Sequence, residues 1–123
     1  MAMPPRSWTS VKVEFLDREK VLRSLRRAAR QLRRSHSLVQ QVVLFGSLAK
    51  GDYVPGSDAD VLVILEADTR SFMERIPEFR RWFAGVAIDV EVFPYTCDEM
   101  ARGQADSTSF IHSVMAGPTE VLV

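Results

Sequence analysis

The chain has almost no sulfur chemistry, no long apolar run and no net charge. Its one cysteine, Cys97, excludes an intramolecular disulfide and suits a reducing compartment. The longest apolar runs, Val42 to Phe45 and Val61 to Leu65, are far too short to cross a bilayer. No signal-peptide core opens the sequence, so a soluble cytoplasmic protein with no membrane role is expected. The only histidines, His36 and His112, lack ligand-like neighbours in sequence and are read as incidental. Lysine plus arginine balance aspartate plus glutamate at 16 each, so total charge argues for no polyanionic partner. No repeat or low-complexity tract is present.

What is there is an ordinary globular composition, 46% hydrophobic and 26% charged over 123 residues. That length suits one domain, taken as residues 1–123, with 1–10 a proline-containing loose lead-in. From about Asp17 to His36, Val21, Leu22, Leu25, Ala28, Ala29 and Leu32 recur at helical spacing, with Asp17 placed as N-cap. Gln41 to Phe45 reads as a buried strand stopped at Gly46-Ser47, with a short helix over Leu48 to Lys50. Asp52 to Ser57 reads as a loop and Asp58 to Leu65 as a second strand. Thr69 to Phe83 is helical, with Pro77 expected to end one piece and open another. Val86 to Phe93 alternates as a third strand, and Thr96-Cys97-Asp98-Glu99 has the form of a capping box. A short helix from about Thr108 to Ala116 meets Gly117-Pro118 before an apolar tail, Val121 to Val123. The alternating α-β-α-β-α-β order predicts an α+β fold, a small sheet with helices packed on it.

Three features at strand ends can carry chemistry. Gly46-Ser47 stands where a strand gives way to a short helix, and free N–H groups there favour phosphate. Taken alone, such a pair is an ordinary strand-ending turn. Asp58 and Asp60 lie two apart on a strand, hence on one face, roughly 6.6 Å apart, a spacing from which two carboxylates can converge on a hard cation. The strand that follows is apolar on both faces, so it is central, and two like charges at its mouth call for a reason such as a cation. Asp89, with Glu91 on the same face, could bring a third carboxylate from an adjacent strand, although an exposed sheet face explains both without function. Three carboxylates near one point invite two magnesium ions, which suits in-line phosphoryl-type displacement.

In combination, Gly46-Ser47, a spacer of ten residues, Asp58-Ala59-Asp60 and a strand-borne Asp89 resemble the nucleotidyltransferase superfamily that includes DNA polymerase beta. The likeness is closest to the minimal nucleotidyltransferases of bacteria and archaea. Gly46-Ser47-Leu48-Ala49-Lys50-Gly51-Asp52 is similar to that family's Gly-Ser-x-Ala-Arg-Gly-Asp, and Ser57 precedes the first aspartate as it often does there. Lys50 stands where arginine is usual, which keeps the charge but loses the bidentate fork. The resemblance spans roughly Leu38 to Phe93 and implies a polymerase beta-like core with a mixed sheet of about three to four strands. It also implies transfer of a nucleoside monophosphate, AMP from ATP or the equivalent from another nucleoside triphosphate, to an acceptor hydroxyl. Gly46, Ser47, Lys50 and Ser57 would bind the nucleotide. Asp58, Asp60 and Asp89 would be catalytic and hold magnesium, in a two-metal arrangement, with Glu91 the alternative to Asp89.

Larger members of the superfamily carry an acceptor-binding domain for which this length leaves no room, so the acceptor site is expected to be improvised on the surface or supplied by a partner chain. Minimal nucleotidyltransferases pair with small helical HEPN proteins in toxin–antitoxin systems, adenylylating the toxin, and the resemblance makes that the expected setting. A second hypothesis is a binding module that neutralises its partner stoichiometrically with little or no catalysis; a third is transfer to a small molecule such as an aminoglycoside, or to an RNA end. Apart from the site, Arg18, Lys20, Arg23, Arg26, Arg27, Arg30, Arg33 and Arg34 crowd the first helix. Such a stripe is usually a solvated face, and otherwise a contact for nucleic acid or an acidic partner.

Overall fold

The computed structural model describes residues 17–51, 56 and 58–123. The first helix, α1 (Arg18–Ser35), starts where expected: the Asp17 carboxylate accepts from the Lys20 N–H at 3.2 Å. Its apolar stripe, Val21, Leu22, Leu25, Ala28, Ala29 and Leu32, is buried, and each buried leucine contributes about 2 kcal/mol of hydrophobic stabilisation. Strand β1 (Val39–Phe45) runs into the short helix α2 (Gly46–Lys50), and β2 (Ala59–Leu65) follows. Helix α3 (Phe72–Arg80) passes through a 3-10 turn (Arg81–Phe83) toward β3 (Val90–Thr96). Helices α4 (Cys97–Ala105) and α5 (Phe110–Ala116) and strand β4 (Thr119–Val121) complete the order.

The four strands form one mixed sheet in the order β3-β2-β1-β4, with β2 parallel to β3 and β1 antiparallel to both β2 and β4. The β2 strand is thus central, as its two apolar faces required. On one face Val61, Val63 and Leu65 pack with α1 and with Phe79 and Phe83. On the other, Leu62 packs with Val43, Phe45, Met100 of α4 and Ile111 of α5. Gly103 makes that second cover possible, because a Cβ there would lie 2.6 Å from the Cβ of Ile111. The α+β architecture expected from the element order is the one observed.

Two local expectations are corrected. The third strand starts at Val90 rather than Val86 and runs to Thr96, past Pro94. Its partner β2 begins at Ala59, opposite Val90, so residues farther upstream have nothing to pair with. The Ala59 N–H donates to the Asp89 carbonyl at 2.9 Å. This turns the backbone groups of the odd-numbered residues of β3 toward β2 and those of the even-numbered residues away. Pro94 therefore forfeits no ladder bond on this edge strand, and its outward carbonyl accepts from Arg75 Nη1 at 3.0 Å. Pro77 lies inside α3 instead of breaking it; one helical bond is lost, while Phe79 and Phe83 anchor both segments in the core. The apolar tail joins the sheet: Leu122 N–H donates to Val42 O at 2.8 Å and Val42 N–H to Val123 O at 3.0 Å. Without it, β1 would be an open edge.

Among the described residues one charged side chain is buried, Arg75 of α3. Its guanidinium donates to the carbonyls of Arg70 (2.7 Å) and Pro94 and to both oxygens of Glu99 (2.7 and 3.1 Å), joining α3, β3 and α4. Glu99 closes the expected capping box, accepting from the Thr96 N–H at 2.9 Å while the Thr96 hydroxyl accepts from the Glu99 N–H at 3.1 Å. Among the described residues no helix is long and apolar enough to cross a membrane.

Candidate active site

The site is built where β1 ends beside the start of β2. Register places Phe45 opposite Asp60, and Asp60 opposite Glu91 of β3. Gly46 begins α2 at φ +80°, a backbone conformation that favours glycine. A Cβ on Gly46 would stand 2.5 Å from Oδ2 of Asp60, so only glycine lets the turn lie against that carboxylate. Ser47, half-buried, follows in the same turn, its carbonyl accepting from the Gly51 N–H at 2.9 Å. Lys50 is the last residue of α2 and is exposed. Ser57 and Asp52 lie outside the described residues.

Asp60 is half-buried at the mouth of the central strand, and Asp58 and Glu91 are exposed beside it. Burial foremost, then the charges of Glu91 and Asp58, push the Asp60 carboxyl above the usual carboxylate range. The folded chain thus concentrates negative charge that a cation would relieve. Oxygen donors of this kind suit magnesium. Among the described residues, no three such side chains already close on a common point.

The parallel pairing brings Glu91 directly alongside Asp60. Asp89 sits one residue before β3, held by its carbonyl to Ala59. Asp58, Asp89 and Glu91 line one cleft of about 350 Å3, together with Phe72, Phe93 and Arg80. An adjoining hollow of about 480 Å3 shares Arg80 and Asp89 with it. Phe93, two residues beyond Glu91, packs on Phe45 (5.3 Å between centroids) and Phe110 (5.4 Å), while Phe72 stacks against Tyr95 at 4.8 Å. The acids therefore meet an aromatic flank.

Sequence reasoning missed that flank and Arg80, because Phe72 and Arg80 arrive from α3 and nothing in their own neighbourhood marks them. For Phe93 a signal existed: it shares the strand face of Glu91. His36, read as incidental, has a partner in Glu78, with Nε2 and Oε2 3.1 Å apart, and rests against the Phe79 ring.

A family model described as "Nucleotidyltransferase domain" matches residues 22–111, most of the chain. No curated protein matches. Among solved structures, a provisionally assigned nucleotidyltransferase from Sulfolobus solfataricus superposes with a TM-score of 0.58 at 23% identity, covering 69% of this chain and 75% of that one. A structure described as a toxin–antitoxin with AMP-PNP superposes with a TM-score of 0.52 at 23% identity, covering 88% of this chain and 73% of that one. At such identities the two structures speak for the fold, while the family match covers the segment that contains Asp58, Asp60, Asp89 and Glu91. The chain belongs to the nucleotidyltransferase domain family, and with it to the transferases.

Proposed function

We propose that this domain is a minimal nucleotidyltransferase that moves AMP from ATP onto an acceptor hydroxyl. The observation that carries the reading is the Asp60 carboxyl, pressed by Glu91 and Asp58 and backed against Gly46. Asp58, Asp60 and Asp89 would hold magnesium, which would supply positive charge against the triphosphate and the leaving pyrophosphate. The backbone at Gly46 and Ser47 and the Ser47 hydroxyl grip the phosphate tail, with Lys50 and Ser57 assisting. Asp89, which lines the same cleft as Asp58, is assigned the third acidic role, with Glu91, alongside Asp60, as the alternative. Asp89 takes the proton of the acceptor hydroxyl; that oxygen bonds to the α-phosphorus, and the bond to the bridging oxygen breaks as pyrophosphate leaves. Positioning and charge do most of the work.

The acceptor is assigned to a partner chain, a tyrosine of a small helical HEPN-type toxin, with this domain as the antitoxin. The likeness to a toxin–antitoxin structure supports that setting. The triphosphate substrate makes the cytoplasm the place of action. Calorimetric titration of ATP with magnesium into wild type and Asp60→Ala tests the core of the proposal. Binding that needs magnesium and disappears in the variant is expected; absence of binding for every nucleoside triphosphate would overturn it.

A further inference from the structure

Half of the chain's basic residues, eight of 16, lie in α1, and the fold uses only some of them. Arg18 and Arg26 both pair with Glu120 of β4. Lys20, Arg23, Arg27, Arg30 and Arg34 recur at steps of three and four, which sets them on one helix face. All five are exposed. Among the described residues none of them has an acidic partner within ion-pair distance, nor does Arg33 beside them. At 1.5 Å per residue the stripe runs roughly 21 Å. Such a line of charge attracts either an acidic protein or the phosphates of a nucleic acid.

Two further observations favour nucleic acid. Trp82 of the 3-10 turn, half-buried, lines a hollow of about 240 Å3 together with Ser24, Arg27 and Gln31, so an indole stands directly beside the stripe. A second hollow of about 320 Å3 opens at its far end among Arg30, Arg33 and Arg34. Cations that track a backbone, with an aromatic ring alongside on which a base can stack, are the design of surfaces that hold single strands. An acidic protein would need the charges and not the indole. Arginine outnumbers lysine four to one along the stripe, which suits forked contacts to phosphate and stacking on bases. A regular duplex would keep its bases from Trp82.

We propose that the exposed face of α1, with Trp82 at its side, binds single-stranded nucleic acid. This surface covers the sheet face opposite the one that Leu62 and Phe45 share with α4 and α5. It is separate from the acid cleft, and the proposal stands whatever that cleft transfers.

The test is fluorescence anisotropy of short labelled single-stranded RNA and DNA with the full chain carrying Trp8→Phe, which leaves Trp82 as the only indole. If five cations each neutralise a phosphate, affinity should fall roughly 100-fold between about 50 and 200 mM salt. The exposed triple variant Arg23→Gln, Arg27→Gln, Arg30→Gln should bind more weakly and retain only about a 7-fold salt effect. An unchanged melting temperature would show that it remains folded. Binding should quench Trp82 fluorescence, and polyglutamate should fail to compete at equal charge. No binding at the lower salt would overturn the proposal. So would binding without quenching that polyglutamate displaces, which would leave an acidic protein as the partner.

Discussion

Replacing Asp60 by asparagine should abolish magnesium-dependent nucleotide binding and at the same time stabilise the fold. The carboxyl is half-buried, and burial, Glu91 and Asp58 all disfavour its charged form. Because its folded pKa is raised, the penalty is absent below the ordinary aspartate value and grows as pH rises through the folded value. Two unit charges about 5 Å apart repel by about 3 kcal/mol at a surface-like effective dielectric of about 20. Glu91 and Asp58 are both exposed, so solvent screening reduces this to about 1 kcal/mol. For a domain of this size that corresponds to a rise in Tm of about 4 °C. Calorimetric melts of wild type and Asp60→Asn, without divalent ions, at neutral pH and again below pH 4, would read it. The gap should be present at neutral pH and close in acid, where Asp60 is protonated. Adding magnesium should raise the Tm of wild type alone. A variant less stable than wild type at neutral pH would refute the idea that Asp60 is held against an electrostatic cost for the sake of a cation.

Four other outcomes are expected. Asp89→Asn should lower transfer by at least about 100-fold in a labelled-ATP assay, a loss on the scale of general-base removal, while Glu91→Gln should cost less than about 10-fold; the reverse order would give the third role to Glu91. Gly46→Ala should destabilise the chain by about 2 kcal/mol, since its φ is positive and its Cβ meets Asp60, and should weaken ATP binding in the same calorimetric titration. Arg75→Met leaves Glu99 without its guanidinium partner, and urea unfolding should show a loss of about 3 kcal/mol. The Arg70 side chain holds the Asp68 carboxyl at about 2, below its ordinary 3.8. The stability it contributes is therefore complete above the ordinary value and lost as pH falls toward 2, so Asp68→Asn should flatten that part of an acid-unfolding curve.

Local signals carried much of the fold and the outline of the site. The spacing of Val21, Leu22, Leu25, Ala28, Ala29 and Leu32 defined the face of α1 that is buried, because a helix buries one stripe whatever it packs on. The capping box at Thr96 and Glu99 and the N-cap at Asp17 formed as written, since each needs only neighbours three residues away. Asp58 and Asp60 were legible as a pair at the start of a central strand for the same local reason. What depended on partners was not legible. The start of β3 follows from where β2 begins, and the strand role of the tail follows from the open edge of β1. Pro94 continues a strand only because that strand is at the edge. That Glu91 comes alongside Asp60 depends on parallel register, which alternation within one strand cannot supply. The basic stripe was visible in the sequence; that Glu120 pairs with Arg18 and Arg26, and that Trp82 stands beside the rest, was not. Sequence determined what contacts within a turn or a strand can determine, and only the tertiary structure decided which distant chemistry those elements meet, because pairing and packing bring together residues that have no local reason to be neighbours.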